Sequence, residues 1–543
     1  MASNTAAIET PVLIVGGGPV GLALALELGW RGVPCTLVEQ SDGVIATPKM
    51  NEVNTRTMEF CRRWGIAEQV MHCPFPEDFP MDVVAVTKLG GYELGRLERP
   101  ARKDQKPGPF SPMNMQVCSQ HWFDPMLRER ARSFPGVDLL YRHRLESFRE
   151  LNDGVVAQIS ALDSGRRLTM RAHYLAACDG AGSGVRRALG VNLEGSEVLS
   201  HSMHLFFRTP DLLERLGVRP GTFFAAMDRE GFWGNIRAID PSEGLWRLLF
   251  DVPQGSDASK LDREAWLRRA IERPPKVQWV SANQWTRRGV VAERFSVGRV
   301  FMAGDAVHQV SPTGALGMNT GIADAVDLGW KIAAVLQGWG GTRLLGSYDA
   351  ERRPAGARNV RMATQYYESL AQLKGGLNEI EEDTPQGEAV RKRAGAALLA
   401  QVSRMFRTLG LQIGYRYDNS PIIVPDGTPE PPDDPANYVA TARPGARAPH
   451  VALADGRSTL DLFGRGFTLL RLGPNAPDPG ALKQAAVSHH VPLDVVTLEE
   501  PEISRLYERR LVLVRPDGHV AWRGDALPAD ARALIDRVRG SNG

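Results

Sequence analysis

Short apolar runs alternate with stretches of helical periodicity along the first third of the chain. Residues 11–15 (PVLIV) predict a buried strand, GGGPVG a turn, LALALELGWRG a helix ending at Gly32, and VPCTLVEQ a second strand. That order is a βαβ unit at the amino terminus. Residues 51–71 and 117–132 have helical patterns, and 137–178 alternates like a strand, ending in HYLAACDG. From about 190 to 290 the period shortens to HSMHLFFRTP, TFFAAMDRE, FWGNIRAI and LWRLLFDVP, which reads as an antiparallel sheet inserted into an α/β domain. RVFMAGDAV at 299–307 returns to a buried strand, and GMNTGIADAVDLGWKIAAVLQGW predicts a long helix. Eight prolines between 421 and 449 mark a stiff linker or wrapping segment. Beyond it, FTLLRLG, LDVVTLE and LVLVRPDGHVAWRG form a small α/β unit with a hairpin at Pro516-Asp517-Gly518.

Composition narrows the functional classes. Lys and Arg number 65 and Asp and Glu 63 in 543 residues, a net charge of +2 that argues against a basic nucleic-acid binder. Hydrophobic residues make up 43%, enough for a sizeable core. The five cysteines (35, 61, 73, 118 and 178) are odd in number and lack CxxC spacing, so we expect neither a disulfide framework, a metal site nor thiol redox chemistry, and a reducing cytoplasmic location. MASNTAAIET lacks a secretory pattern. The most apolar stretch, 11–30, is nearly long enough for a bilayer but contains Gly16, Gly17, Gly18, Pro19, Gly21 and Glu27, so no membrane span is expected.

Three glycine-rich fragments carry candidate chemistry. Gly16-x-Gly18-x-x-Gly21 lies between a predicted strand and helix. Gly16 permits the tight turn, Gly18 lets a pyrophosphate approach the backbone, and Gly21 packs helix on strand. The helix start offers free N–H groups to phosphate. Glu39 follows Gly21 by 18 residues, close to the spacing of a ribose-binding carboxylate. This motif alone does not separate NAD from FAD. A second fragment, Gly304-Asp305, follows a buried strand and precedes Gly314, Gly317 and Gly321; it suits a polyhydroxyl chain and a flat ring against the backbone, or else is a capped turn. The third, Cys178-Asp179-Gly180-Ala-Gly182-Ser-Gly184-Val-Arg186, also links a strand to a helix.

Together, GGGPVG with Glu39, CDGAGSGVR and AGDAVHQVSPTGALGMNTGIADAVDLGWK resemble the class A flavoprotein monooxygenases, the para-hydroxybenzoate hydroxylase and phenol hydroxylase superfamily. NTRTMEFCRRWG at 54–65, Gln120 in CSQHWFDPML and LLGSYDAERRP at 344–354 extend the likeness from residue 11 to 354. RPGARAPH at 443–450 and DLFGRGFTLL at 461–470 look like the thioredoxin-like carboxyl-terminal domain of the phenol hydroxylase branch. The resemblance implies an α/β fold: a GxGxxG-type FAD-binding domain with an inserted antiparallel-sheet substrate domain and a carboxyl-terminal thioredoxin-like domain. The FAD-binding domain is expected over 1–75, 111–190 and 291–420 (the last with helices), substrate-domain segments over 76–110 and 191–290, a linker over 421–449 and the thioredoxin-like domain over 450–543.

By the same resemblance, Gly16, Gly18 and Gly21 hold the FAD pyrophosphate and Glu39 the adenosine ribose. Arg56 and Gln120 reach the ribityl and phosphate region, and Asp305 binds the ribityl. Pro312, Gly317, Met318 and Asn319 line the flavin ring, and Asp179 with Arg186 belongs to a fragment contacting FAD and NAD(P)H. The implied reaction spends NAD(P)H and O2 to hydroxylate an aromatic, typically phenolic, substrate through a flavin C4a-hydroperoxide, as in phenol degradation and aromatic hydrocarbon catabolism. The alternative is a same-fold oxygenase that tailors a polyketide or antibiotic scaffold. A homodimer is implied.

The chain departs from those relatives at Lys49, where an Arg is common, and at Asn51, where a His or Asp stands in some; an Asp found elsewhere is Val117 here. Asn51 can only hydrogen-bond a hydroxyl. The missing base suits an already acidic phenol, such as one with nitro or halogen groups. Phe224, Trp233, Asn235 and Arg237 are candidate pocket residues, with Trp233, Asn235 and Arg237 sharing one strand face, and Asn51, Arg237 and Pro312 are the candidate catalytic residues. His201 and His204 are candidate bases, and His308 is expected to fix the Gly304-Asp305 loop.

Overall fold

The computed structural model describes residues 7–541. Most of the amino-terminal stretch on which the absence of a secretory pattern rests lies outside them. A first sheet has the order Ser296–Val297, Val300–Met302, Arg167–Ala177, Ile8–Val15, Cys35–Glu39, Val137–Tyr141, with His143–Leu151 and Gly154–Ala161 added antiparallel. Its four middle strands and Val137–Tyr141 run parallel; Val12 sits opposite both Tyr174 and Cys35. The carboxyl-terminal parts of the central strands, Val12–Val15, Cys35–Val38, Tyr174–Ala177 and Val300–Met302, are buried on both faces, which is why they read as largely apolar runs. The helices Pro19–Trp30 and Gly317–Leu336 pack together, and residues 21–29 of the first are all buried.

The second sheet has eight strands, mostly antiparallel, drawn from distant segments: His308–Gln309, Gln278–Ala292, Leu193–Arg208, Leu245–Val252, Gly231–Asp240, Phe223–Asp228, Val83–Val86 and Glu93–Leu97. One face sets Trp246, Leu248 and Phe250 against Leu267; the other sets Val83, Phe223 and Ala225 against Leu370, Ala394 and Leu398 of the helices Ser347–Ala371 and Pro385–Phe406. The helix expected over 51–71 is divided. Glu52–Val53 pairs with Gln116–Val117, Asn54 caps the helix Thr55–Trp64 by accepting from Thr57 N at 2.9 Å, and Gly65, left-handed at φ 77°, ends it.

The third sheet orders Leu493–Leu498, Phe467–Leu472, Leu511–Val514, Val520–Gly524. Among the described residues no helix or strand lies between Ile413 and Thr459. That segment wraps the surface: Pro435 O accepts from Leu411 N at 3.2 Å and Val424 N donates to Ala521 O at 2.9 Å. A buried charge cluster fastens the third sheet to the helical layer. Arg515 reaches Asp327 at 3.1 Å, Glu351 at 2.6 Å and Asp517 at 2.7 Å, and Lys331 bridges Asp327 and Glu351 at 2.7 and 2.6 Å. All five cysteines are buried free thiols. No described helix is long and apolar enough to cross a membrane.

Candidate active site

Loops at the carboxyl ends of the parallel strands converge on one cleft, where an open α/β sheet binds its ligand. After Ile8–Val15 the chain turns at Gly16 (φ 107°), whose N–H donates to Val38 O at 2.9 Å. A Cβ on Gly16 would meet Cys178 O at 2.3 Å and one on Gly21 would meet Gly16 O at 2.0 Å, so both glycines serve close backbone packing. Gly18, Gly180, Gly182 and Gly184 differ: a Cβ on any of them meets nothing within 4 Å, and all four line the cleft. On the same wall, Glu39 accepts from Gly17 N and Ser41 N at 2.7 Å each. Asp179 accepts from Val185 N at 3.2 Å with Oδ2 and leaves a buried Oδ1 without a partner among the described residues.

Further along, Gly304 (φ 65°) turns the strand Val300–Met302 into the loop that carries Asp305. Asp305 opens into the cleft, its side chain exposed there. Pro312, Ala315, Gly317, Met318 and Asn319 complete this part of the wall. Gln120 accepts from Lys49 N at 3.0 Å and donates to Asp124 at 3.0 Å; burial raises the Asp124 pKa to about 7. Asn51 is buried and accepts from Ser119 Oγ at 2.8 Å.

The cleft continues into a second chamber under the eight-stranded sheet. Glu52, Arg237, Arg247, Pro312 and Ala315 belong to both. Glu52 Oε1 accepts from Arg237 Nη2 at 2.6 Å. Burial alone would raise its pKa, yet Arg237, Arg99 and Arg247 together hold Glu52 below the usual carboxylate range. Arg247 is 7% exposed, has no hydrogen-bond acceptor among the described residues, and is lowered to about 9 by burial and then by neighbouring Arg237. Arg287 donates to Ser311 at 3.0 Å and Ser200 at 3.2 Å, and Tyr367 donates to Asp251 at 2.7 Å. Val402, Met405 and Phe406 form an apolar wall.

Sequence reasoning missed Glu52, Arg247, Arg287 and Tyr367. An arginine in the middle of the apolar run LWRLLF was the one local signal for Arg247. Several expectations need correction. Arg56 does not line the cleft: it pairs with Glu59 at 2.8 Å and donates to Asp517 O at 2.7 Å, joining the carboxyl-terminal unit to the helix Thr55–Trp64. Phe224 points into the core on the far face of the sheet, and Phe223 lines the chamber instead. A bulge opposite Ala226/Met227 breaks the alternation before Asn235, so Trp233 packs beside Trp266 (5.9 Å between rings) and Arg269 while keeping an edge on the chamber. His201 and His204 do not line the chamber; His204 lies beside Trp285. His308 is fully buried against Asp324 at 2.6 Å.

The donor set fits a dinucleotide with a long flat ring: side-chain-free glycines beside a helix start, an unpartnered buried carboxylate oxygen at Asp179, and a carboxylate facing the cleft at Asp305. The "FAD binding domain" family model matches residues 9–363, and the "Aromatic-ring hydroxylase, C-terminal" model matches 441–541. Tetracenomycin B2 monooxygenase-dioxygenase of Streptomyces olivaceus is 33% identical over 98% of this chain and 98% of its own length. 4-Methyl-5-nitrocatechol 5-monooxygenase of a Burkholderia species is 32% identical over 98% and 97%. The solved structure of chromopyrrolic acid-soaked RebC with bound 7-carboxy-K252c superposes with a TM-score of 0.92 at 41% identity, covering 99% of this chain and all of that one. These matches run the length of a chain whose cleft already fits the flavin nucleotide, and the chain belongs to the class A FAD-dependent aromatic monooxygenases.

Proposed function

We propose that this protein uses NAD(P)H and O2 to oxygenate an aromatic ring that carries an anionic group, and that Arg247 pairs with that anion. The observation behind this reading is the Arg247 guanidinium, buried on the chamber wall with Arg237 and Arg287 near it and no acceptor of its own. A buried guanidinium that shares a single carboxylate, Glu52, with Arg237 and Arg99 and has no acceptor of its own among the described residues is costly, and an anionic ligand offsets that cost. The same field lowers the pKa of an acidic phenol placed beside Arg247, where Asn51 can only hydrogen-bond its hydroxyl. An acidic nitro- or halo-substituted phenol or catechol satisfies these requirements.

Bound FAD supplies the oxygen chemistry; the protein binds, orients and excludes water. In this reading Gly16, Gly18 and the start of the helix Pro19–Trp30 hold the pyrophosphate, Gly21 keeps that helix close, and Glu39 meets the ribose. Asp179, Gln120 and Asp305 hold the middle of the nucleotide, and Gly317, Met318 and Asn319 support the ring. Pro312 separates the ring from the substrate. Asn51 donates a hydrogen bond to a substrate oxygen. Arg237 holds Glu52. The mixed four-stranded carboxyl-terminal sheet is consistent with a thioredoxin-like unit that braces the fold, and the resemblance implies a cytoplasmic homodimer.

A second reading, tailoring of a larger antibiotic-type scaffold, is favoured by RebC, whose structure names an acid and a carboxy compound as its ligands. The test is NADH and NADPH oxidation by the flavin-loaded protein against nitrophenols, chlorophenols and carboxylated polycyclic aromatics, with product mass measured. A gain of one oxygen on an anionic aromatic is the expected result. A product only from neutral aromatics, or none from any aromatic, overturns the proposal.

A further inference from the structure

We propose that Glu52 is a catalytic residue: held by Arg237, it accepts the proton of a substrate hydroxyl, the role that Asn51 has no group to perform. This rests on the aromatic monooxygenase reading above and adds a hydroxyl on the oxygenated ring to the anionic group assigned to Arg247. Two carboxylates line the chamber, Glu52 and Asp251. Asp251 is engaged at both oxygens, by Ser200 and Ser202 on Oδ1 and by Tyr367 on Oδ2, and its side chain is 42% exposed. Glu52 gives one oxygen to Arg237, and among the described residues no donor reaches the other. Glu52 alone of the two also lines the flavin-side cleft, so it sits where oxygen transfer takes place.

Its backbone is fixed as well. Glu52 O accepts from Asn319 Nδ2 at 3.1 Å, and the residue pairs with Val117 across a short ladder. A proton acceptor anchored on both main chain and side chain keeps the sub-ångström placement that proton transfer needs. The charged groups facing it are Arg237 and Arg247 from the sheet and Arg99 from the segment after Glu93–Leu97, with Lys49 and Asp305 across the cleft. Three arginines keep the carboxylate ionised through the neutral range.

Low basicity is no obstacle. As the ring carbon bonds to oxygen, the ring loses electron density and its hydroxyl becomes strongly acidic. The O–H pair becomes the C=O π-bond and the proton goes to Glu52; the ring C–H proton then leaves to solvent, its bonding pair restores the aromatic ring, the C=O π pair returns to oxygen, and Glu52 gives its proton back to that oxygen. O2 is the oxidant and NAD(P)H the reductant, and the second oxygen atom leaves as water.

The test uses flavin-loaded wild type, Glu52→Gln and Glu52→Asp, with 4-hydroxy-3-nitrobenzoate as probe, its carboxylate for Arg247 and its hydroxyl for Glu52. First, the ionisation of the hydroxyl of the bound probe is titrated by difference absorbance without turnover. The Glu52 carboxylate disfavours a neighbouring phenolate, so in Glu52→Gln the bound probe ionises about one pH unit or more lower than in wild type. Glu52→Asp keeps the charge and titrates like wild type. Second, hydroxylation of an un-ionised phenol is compared with that of a pre-ionised one. Glu52→Gln lowers the first by roughly 10²-fold or more and the second by less than about threefold. Glu52→Asp, which keeps the charge that Arg237 needs and therefore folds, falls by about tenfold on the first alone. An unchanged titration in Glu52→Gln, or wild-type hydroxylation of the un-ionised phenol by either variant, overturns the role of Glu52. If wild type oxygenates no aromatic, the reading of function fails instead, whatever the titration shows.

Discussion

Asp324 and Arg352 meet at 2.8 Å in the interior, both essentially without solvent. The other Asp324 oxygen accepts from His308 at 2.6 Å and from Gly304 N at 3.1 Å. Arg352 passes the contact on to Tyr417 OH at 3.2 Å, and the Tyr417 ring lies 4.3 Å from that of His519 in the carboxyl-terminal unit. One carboxylate thus holds the turn that presents Asp305 and ties it to the third sheet. Removing one partner of a buried, hydrogen-bonded ion pair typically costs about 3–5 kcal/mol. Asp324→Ala is therefore expected to lower the thermal midpoint sharply and weaken FAD retention, read by differential scanning fluorimetry and by flavin absorbance after gel filtration. Full flavin content with an unchanged midpoint would remove Asp324 from this role.

Gly18 and Gly21 should respond differently to the same substitution. Gly18→Ala adds a methyl with no protein atom within 4 Å, in the path proposed for the pyrophosphate, whereas Gly21→Ala drives one into Gly16 O. Gly18→Ala should fold with a wild-type apoprotein midpoint and bind FAD at least roughly tenfold more weakly, since one methyl can block the close backbone approach. Gly21→Ala should lose stability as well. Circular dichroism and flavin titration separate the two; equal behaviour would contradict the distinct packing roles of the two glycines.

Arg247→Met keeps the side-chain volume and removes a charge that has no hydrogen-bond acceptor among the described residues. A hydrogen bond to a charged group is worth about 1.5–3 kcal/mol, so KM for anionic aromatics should rise roughly 10- to 150-fold. KM for neutral analogues should change little, and the folded protein should be as stable as wild type or more so, because a buried cation has gone. Steady-state kinetics on matched acid and amide substrates decide the point.

Asp124 makes stability depend on pH in a defined direction. Its pKa rises from 3.8 to about 7 on folding because burial disfavours the charged form. The folded state therefore holds the extra proton between those values, and the contribution, complete below pH 3.8, is lost as pH rises through 7. The midpoint difference between Asp124→Asn and wild type should accordingly grow in favour of the variant from pH 4 to 8. A difference that stays flat would place the carboxyl in a more polar setting.

Local pattern carried much of the architecture. Aliphatic runs such as Val12–Val15 have to be buried strands, and Gly16-x-Gly18-x-x-Gly21 requires a turn that side chains do not tolerate, so the amino-terminal βαβ unit and its cleft are legible in the residues alone. Which way a single side chain points is not. Phe223 and Phe224 are indistinguishable in sequence, yet the strand sends the first to the chamber and the second to the core, and a single bulge turns Trp233 aside. Arg56 escapes a local reading because a guanidinium pairs as readily with a carboxylate as with a phosphate, and nothing nearby in sequence reveals that the Asp517 carbonyl joins Glu59 in holding it.

The sequence by itself determined the class of fold, the flavin nucleotide and the absence of a base at position 51, because each rests on short contiguous motifs and on their order along the chain, not on which distant side chains meet. Only the tertiary structure decided the substrate chamber. Glu52, Arg237, Arg247, Arg287 and Tyr367 come from five separate segments, and which charges meet and which remain unpaired follows from long-range strand pairing that no local pattern encodes.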